Sequence, residues 1–93
     1  MTVGLLTLDI RVPGSRSLKD KRRVVKSLKE QMRGRYNCSV AEVGFKDQWA
    51  RAEVVVAVVG DDSRFVNTQL NEIARFASNK NGAELLDCRI EML

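Results

Sequence analysis

A chain of 93 residues has room for one domain, spanning 1–93, and its 44% hydrophobic and 30% charged content excludes a disordered or fibrous protein. The net charge of +4 hides an asymmetry: residues 11–35 hold ten Lys and Arg against Asp20 and Glu30, so the rest of the chain is net negative. The longest wholly apolar run, Val54–Val59, is too short to cross a bilayer, and no histidine is present to complete a metal site.

Thr2 to Val12 alternates Leu6, Leu8, Ile10 and Val12 on one side with Leu5, Thr7, Asp9 and Arg11 on the other, the period of a half-buried strand. The segment lacks a basic leader and a small-residue cleavage site, so it reads as a strand rather than a signal peptide, and the chain is expected in the cytoplasm. Pro13-Gly14-Ser15 ends the strand. Ser17 then has the character of a helix cap, with Asp20 in the box position three residues on. A helix is predicted to about Arg33, with Gly34 as its stop; Leu18, Val25, Leu28, Met32 and Tyr36 form its core stripe at about 100° per residue.

Asn37 to Phe45 and Ala52 to Gly60 read as two further strands joined through Lys46 to Arg51. The second is apolar on both faces after Glu53, which places it inside a sheet and leaves its outer face in need of cover or a partner. Asp61-Asp62-Ser63 caps a second helix carrying Phe65, Val66, Leu70, Ile73, Ala74 and Ala77, which closes at Asn79 to Gly82. Ala83 to Leu93 reads as a last strand with Leu86, Cys88, Ile90 and Met92 on one face. The order β-α-β-β-α-β is that of an α+β ferredoxin-like two-layer sandwich: a four-stranded antiparallel sheet, both helices on one face, the first and third strands central. Cys38 and Cys88, far apart and each within an apolar stretch, are expected as buried thiols of a reducing compartment rather than a disulfide.

Four stretches carry a family resemblance. They are Val12-Pro13-Gly14-Ser15-Arg16-Ser17-Leu18-Lys19-Asp20-Lys21-Arg22-Arg23, Ser39-Val40-Ala41-Glu42-Val43, Trp49-Ala50-Arg51-Ala52 and Glu84-Leu85-Leu86-Asp87. Over essentially its whole length the chain resembles the bacterial YlxP-like family, a domain of unknown function. The resemblance implies a ferredoxin-like fold and a gene that in many bacteria lies among those for transcription, translation initiation and ribosome maturation, hence a role at RNA or the ribosome. It supplies no catalytic residues.

The strongest functional signal is the first helix. Lys19, Arg22, Arg23, Lys26, Lys29 and Arg33 fall within an arc of about 120° beside the core stripe. Cations stacked at steps of three and four repel by a few tenths of a kcal/mol per pair, and phosphates would relieve that repulsion with release of counterions. Arg16 stands in the loop ahead of them, where free N–H groups and the helix dipole favour an anion; a plain turn capped by Ser17 explains the same residues. The candidate nucleic-acid contacts are therefore Arg16, Lys19, Arg22, Arg23, Lys26, Lys29 and Arg33, against two plainer accounts, an acidic protein partner and a solvated helix face.

The sheet face away from the helices brings no aromatics on its central strands, which argues against base stacking of the RRM type. It offers Leu5, Val55, Ala57 and Val59 instead, with Ala41 and Val43 alongside, a patch suited to a homodimer or to water. Trp49 with Phe45 is expected to close the end of the core, with base stacking as the alternative. Asp61 and Asp62 read as caps rather than metal ligands, and Asp9, Glu42 and Glu53 lie elsewhere in the chain. With no His and no Cys beside a base, catalysis has no foothold; no cofactor, metal, membrane contact or small-molecule substrate is expected, apart from a fold-level analogy to ligand-binding regulatory domains. The expectation is a non-enzymatic protein bound to RNA or the ribosome, with a homodimeric module docking on an acidic partner as the alternative.

Overall fold

The computed structural model describes all 93 residues and has the predicted order: β1 (Thr2–Arg11), α1 (Leu18–Arg35), β2 (Ser39–Gly44), β3 (Arg51–Gly60), α2 (Ser63–Ser78) and β4 (Glu84–Met92). All strand pairs are antiparallel and the sheet runs β2-β3-β1-β4, so the two most apolar strands are central. Both helices lie on the face that carries Leu6, Leu8 and Ile10, giving the α+β ferredoxin-like sandwich. Helix α2 packs over β1, β3 and β4, and α1 packs over β2.

The core follows the strand period. Leu6, Leu8, Ile10 and Val12 from β1 and its exit meet Ala52, Val54, Val56 and Val58 from β3, under Val25, Leu28 and Met32 of α1 and Val66, Leu70, Ile73 and Ala77 of α2. Gly4 is buried where α2 comes closest: a Cβ there would lie 2.7 Å from Leu70 Cδ1 and from Val66 Cγ1. Tyr36 and Phe76 close the other side of the helix layer edge to face, with ring centroids 6.2 Å apart.

Three expectations change. Gly34 does not stop α1; the helix runs through it to Arg35 because Gly34 stays out of the left-handed region, and Tyr36, extended, caps the end by donating its N–H to Met32 O. Leu86 does not share a face with Ile90. The register slips between Asp9, opposite Asp87, and Ile10, opposite Leu85, so Leu86 is skipped and Leu85 turns to the core. Cys88 is exposed although it lies opposite Leu8, because β4 is an edge strand with no neighbour beyond it. Cys38 is half-buried, and burial pushes its thiol above the ordinary value of 9.0, an effect reduced by the nearby Arg33 guanidinium.

Candidate nucleic-acid interface

The entry to α1 is a cap that satisfies itself. Ser17 Oγ accepts from Asp20 N at 3.0 Å, as the sequence predicts for the cap, whereas the Asp20 carboxylate accepts from Arg16 N at 3.0 Å, one residue ahead of the Ser17 N–H that a full capping box engages. Ser15 Oγ donates to Ser17 O at 2.9 Å. The hydroxyls and the carboxylate of this turn are thus each engaged with a backbone group of the same turn, and the loop is accounted for as a cap.

One turn further in, the structure places a charge inside the protein. Lys21 lies on the core stripe of α1 between Val25, Leu28 and Met32, and its side chain is wholly buried. Its Nζ donates to Phe45 O at 2.9 Å and Lys46 O at 3.2 Å, and stands 2.9 Å from Glu42 Oε2. Glu42 reaches it from β2 because it lies opposite Val54, whose side chain points to the helix layer. The geometry to Glu42 is that of an ion pair rather than a directed hydrogen bond, so the carbonyls complete the ammonium's shell. A buried pair of this kind gains little net stability, but it specifies geometry: it ties the β2–β3 loop to α1.

That loop begins with a residue held against its preference. Phe45 has φ of 57°, the left-handed region that a bulky side chain avoids, and its carbonyl accepts both Lys21 Nζ and Gln48 N, the latter at 3.0 Å. The Arg51 guanidinium covers the Phe45 ring at 4.6 Å from the centroid, and is itself fixed by Asp9 with contacts of 2.7 and 2.9 Å.

Between α1 and β2 runs an open groove of about 450 Å³ lined by Arg22, Lys26, Lys29 and Arg33 of α1 and by Lys46 of the loop, with Val25, Glu30 and Glu42 completing it. The ion pairs of the protein, Arg11–Glu84, Lys21–Glu42, Arg51–Asp9 and Arg89–Glu91, involve none of these five cations. Glu42 is already engaged by Lys21. Arg33 donates from one Nη to Val40 O at 2.8 Å, holding the helix against the edge strand.

Four of the seven cations singled out from the sequence therefore converge: Arg22, Lys26, Lys29 and Arg33. Arg23 lines a separate hollow with Val12, Gly14, Ser15, Asp20, Val24 and Gly82, while Arg16 and Lys19 are exposed outside both. Lys46 was not foreseen, because its approach to the groove depends on how the loop folds back on Lys21. Lys21 itself had a signal in the sequence: on the helical wheel it falls in the middle of the apolar stripe, where a charge demands a buried partner.

Trp49 corrects its expectation. Ile10, Val12 and Ala52 already close that end of the core, and Val12 N donates to Ala50 O at 2.8 Å, so the indole finds no space inside. Trp49 is 58% exposed and Phe45 38% exposed, on the same loop as Lys46.

The open sheet face carries Leu5 opposite Ala57, Val3 opposite Val59, and Val55 between Thr7 and Ala41. Leu5, Val55, Ala57 and Val59 are thus one patch, covered by no helix, with Val59 55% exposed. The other half of that face is charged, with Asp9 between Glu53 and Asp87, and Arg11 beside Arg51.

Fold and surface together define a small ferredoxin-like domain with a cationic groove along one helix. Within that class the chain belongs to the family described as "Protein of unknown function (DUF503)", whose model matches residues 3–90. It is similar to the uncharacterized protein YlxP of Bacillus subtilis (strain 168), 30% identical over 60 residues, which cover 64% of this chain and 65% of that relative, just under two-thirds of the latter's length. The YlxP-like resemblance read from the motifs is borne out. No helix is long and apolar enough to cross a membrane.

Proposed function

We propose that the protein is a non-enzymatic nucleic-acid-binding domain that holds RNA phosphates in the α1 groove. The observation that carries this reading is the convergence of Arg22, Lys26, Lys29 and Lys46, from a helix and a separate loop, on one concave surface with no carboxylate paired to any of them. Cations left unpaired side by side on a folded surface are suited to an anion that spaces its charges along a chain. The narrower assignment to the ribosome rests on the gene neighbourhood of the family.

Fluorescence anisotropy of a labelled structured RNA at low and near-physiological salt tests the reading. The affinity is expected to fall with a log–log slope of roughly −3 to −5 for about five phosphate contacts. Arg22→Gln/Lys26→Gln/Lys29→Gln is expected to weaken binding and make the slope shallower by about two to three. No binding at low salt, or an unchanged slope in the variant, overturns it.

A second reading has its own support in the uncovered patch of Leu5, Val55, Ala57 and Val59. In that reading the domain is a homodimer through the open sheet, and the groove docks on an acidic protein.

A further inference from the structure

The α1 groove can hold a backbone and offers nothing to a base. We infer that it takes one strand of double-helical RNA from outside, with the base pairs intact, and that Glu30 on its rim accepts a hydrogen bond from a ribose 2′-hydroxyl. The inference rests on the reading of the groove as a phosphate site and specifies which nucleic acid fills it.

The lining carries the first part of the argument. Apart from charged side chains the groove is lined only by Val25, which is buried. No aromatic ring lines it: Phe45, although next to Lys46 in the chain, packs on Arg51, which reaches Asp9 on the open sheet face. Proteins that hold single strands offset the cost of ordering a flexible chain by stacking its bases on aromatic rings. A duplex needs no such platform, because its bases stay stacked on one another.

The cations are arranged to suit an ordered ligand. Arg22, Lys26, Lys29 and Arg33 follow steps of four, three and four residues, about 6, 4.5 and 6 Å along an α-helix, and lie within about 60° of one another around it. The row covers about 16 Å, the reach of several successive phosphates on one strand. Arg33 is held by its Nη on Val40 O at 2.8 Å, which leaves other N–H groups of the guanidinium for a ligand. The loop's contribution is fixed too, since the carbonyl of Lys46 accepts Lys21 Nζ at 3.2 Å. Cations carried on a rigid frame meet the phosphates of a duplex with little ordering cost, whereas a flexible strand has to be straightened first.

Glu30 is the residue that a plain phosphate site does not explain. It lines the groove, belongs to none of the protein's ion pairs, and lies about 40° beyond Lys26 around the helix, on the side away from the core stripe. The groove's other carboxylate, Glu42, is engaged by Lys21. An unpaired carboxylate on the rim repels every phosphate that passes it. It contributes to binding only if the ligand brings a donor between its phosphates, and in the RNA backbone that donor is the ribose 2′-hydroxyl. Deoxyribose has none, so Glu30 penalises DNA, while the hydrogen bond offsets the penalty for RNA. A-form RNA suits such contacts, since its major groove is too deep and narrow to read while its phosphates and 2′-hydroxyls stay accessible.

The test is anisotropy of the full chain at one low salt concentration. The labelled ligands are a blunt RNA duplex, the DNA duplex of the same sequence and oligouridylate, compared at equal phosphate. The RNA duplex is expected to bind about five- to fifty-fold more tightly than the DNA duplex, and more tightly than oligouridylate. An RNA duplex of scrambled sequence is expected to bind as the first does. Glu30→Ala is expected to narrow the RNA-to-DNA ratio at least about three-fold, with DNA bound more tightly than by the parent. Glu30→Gln keeps an acceptor and is expected to retain more of the ratio. Glu30 is exposed, so both variants are expected to melt with the parent, which separates this role from a structural one.

Oligouridylate bound as tightly as the RNA duplex, RNA and DNA duplexes bound equally, or a ratio unmoved by Glu30→Ala each overturns this inference while leaving the phosphate groove standing. Absence of binding to all three ligands overturns the groove reading and this inference with it. Displacement of the RNA duplex by polyglutamate at equal charge concentration assigns the surface to an acidic protein and overturns both.

Discussion

Lys21 occupies a place where a methionine would be less costly to bury, and what it adds is a fixed loop rather than net stability. Removing its charge alone leaves Glu42 nearly buried without a counter-ion and orphans one or two carbonyls. Lys21→Met is therefore expected to lose about 3–5 kcal/mol, read as a lower midpoint in urea. Lys21→Met/Glu42→Leu is expected to regain most of that loss, since neither charge is then stranded. If the single variant is as stable as the parent, the clamp does not constrain the loop. The loop shows what such a clamp achieves at this scale: it holds Phe45 in a backbone conformation the residue would leave on its own.

At the scale of elements, two glycines in ordinary sequence surroundings have opposite meanings. Gly4 permits the closest approach of α2 to β1, and a methyl there would press on Leu70 and Val66 at 2.7 Å. Gly34 lies in the last turn of α1, keeps a negative φ and has nothing within 4 Å of a would-be Cβ. Gly4→Ala is expected to cost about 1–3 kcal/mol by overpacking, and Gly34→Ala to stabilise by about 0.5–1 kcal/mol by restricting the unfolded chain. Thermal melts of the two variants check the pair; a stabilising Gly4→Ala would mean that α2 stands off the sheet. The groove also belongs to this scale, since α1 supplies four cations at helical spacing and the edge strand β2 supplies the opposite wall, joined by Arg33 on Val40 O.

For the whole molecule, the question is what meets the open sheet. Its apolar half, with Leu5, Val55, Ala57 and Val59, lies beside a half that carries both signs of charge, a composition suited to an isologous contact in which each copy presents the same patch. If that contact forms, light scattering at tens of micromolar reads twice the 10.5 kDa chain, and Val59→Lys returns it to a monomer. A parent that is monomeric throughout this range removes the dimer and leaves the α1 groove untouched, because the two surfaces are on different sides of the protein.

Period two in β1, the continuous apolar run of β3, the caps at Ser17 and Asp62 and the helical stripes were legible along the chain, and they determine the elements and the two-layer sandwich. The cationic arc of α1 was legible for the same reason, since helical spacing alone places Arg22, Lys26, Lys29 and Arg33 together. The skipped Leu86 was not, because a one-residue slip in pairing is decided between strands and leaves no mark on either one. Nor were the recruitment of Lys46, the choice of Glu42 and two loop carbonyls as the partners of Lys21, and the exposure of Trp49. Local pattern determines which residues share a face of one element; only the tertiary structure decides which faces of different elements meet, and the surface proposed here to bind RNA is made where α1 meets the loop between β2 and β3.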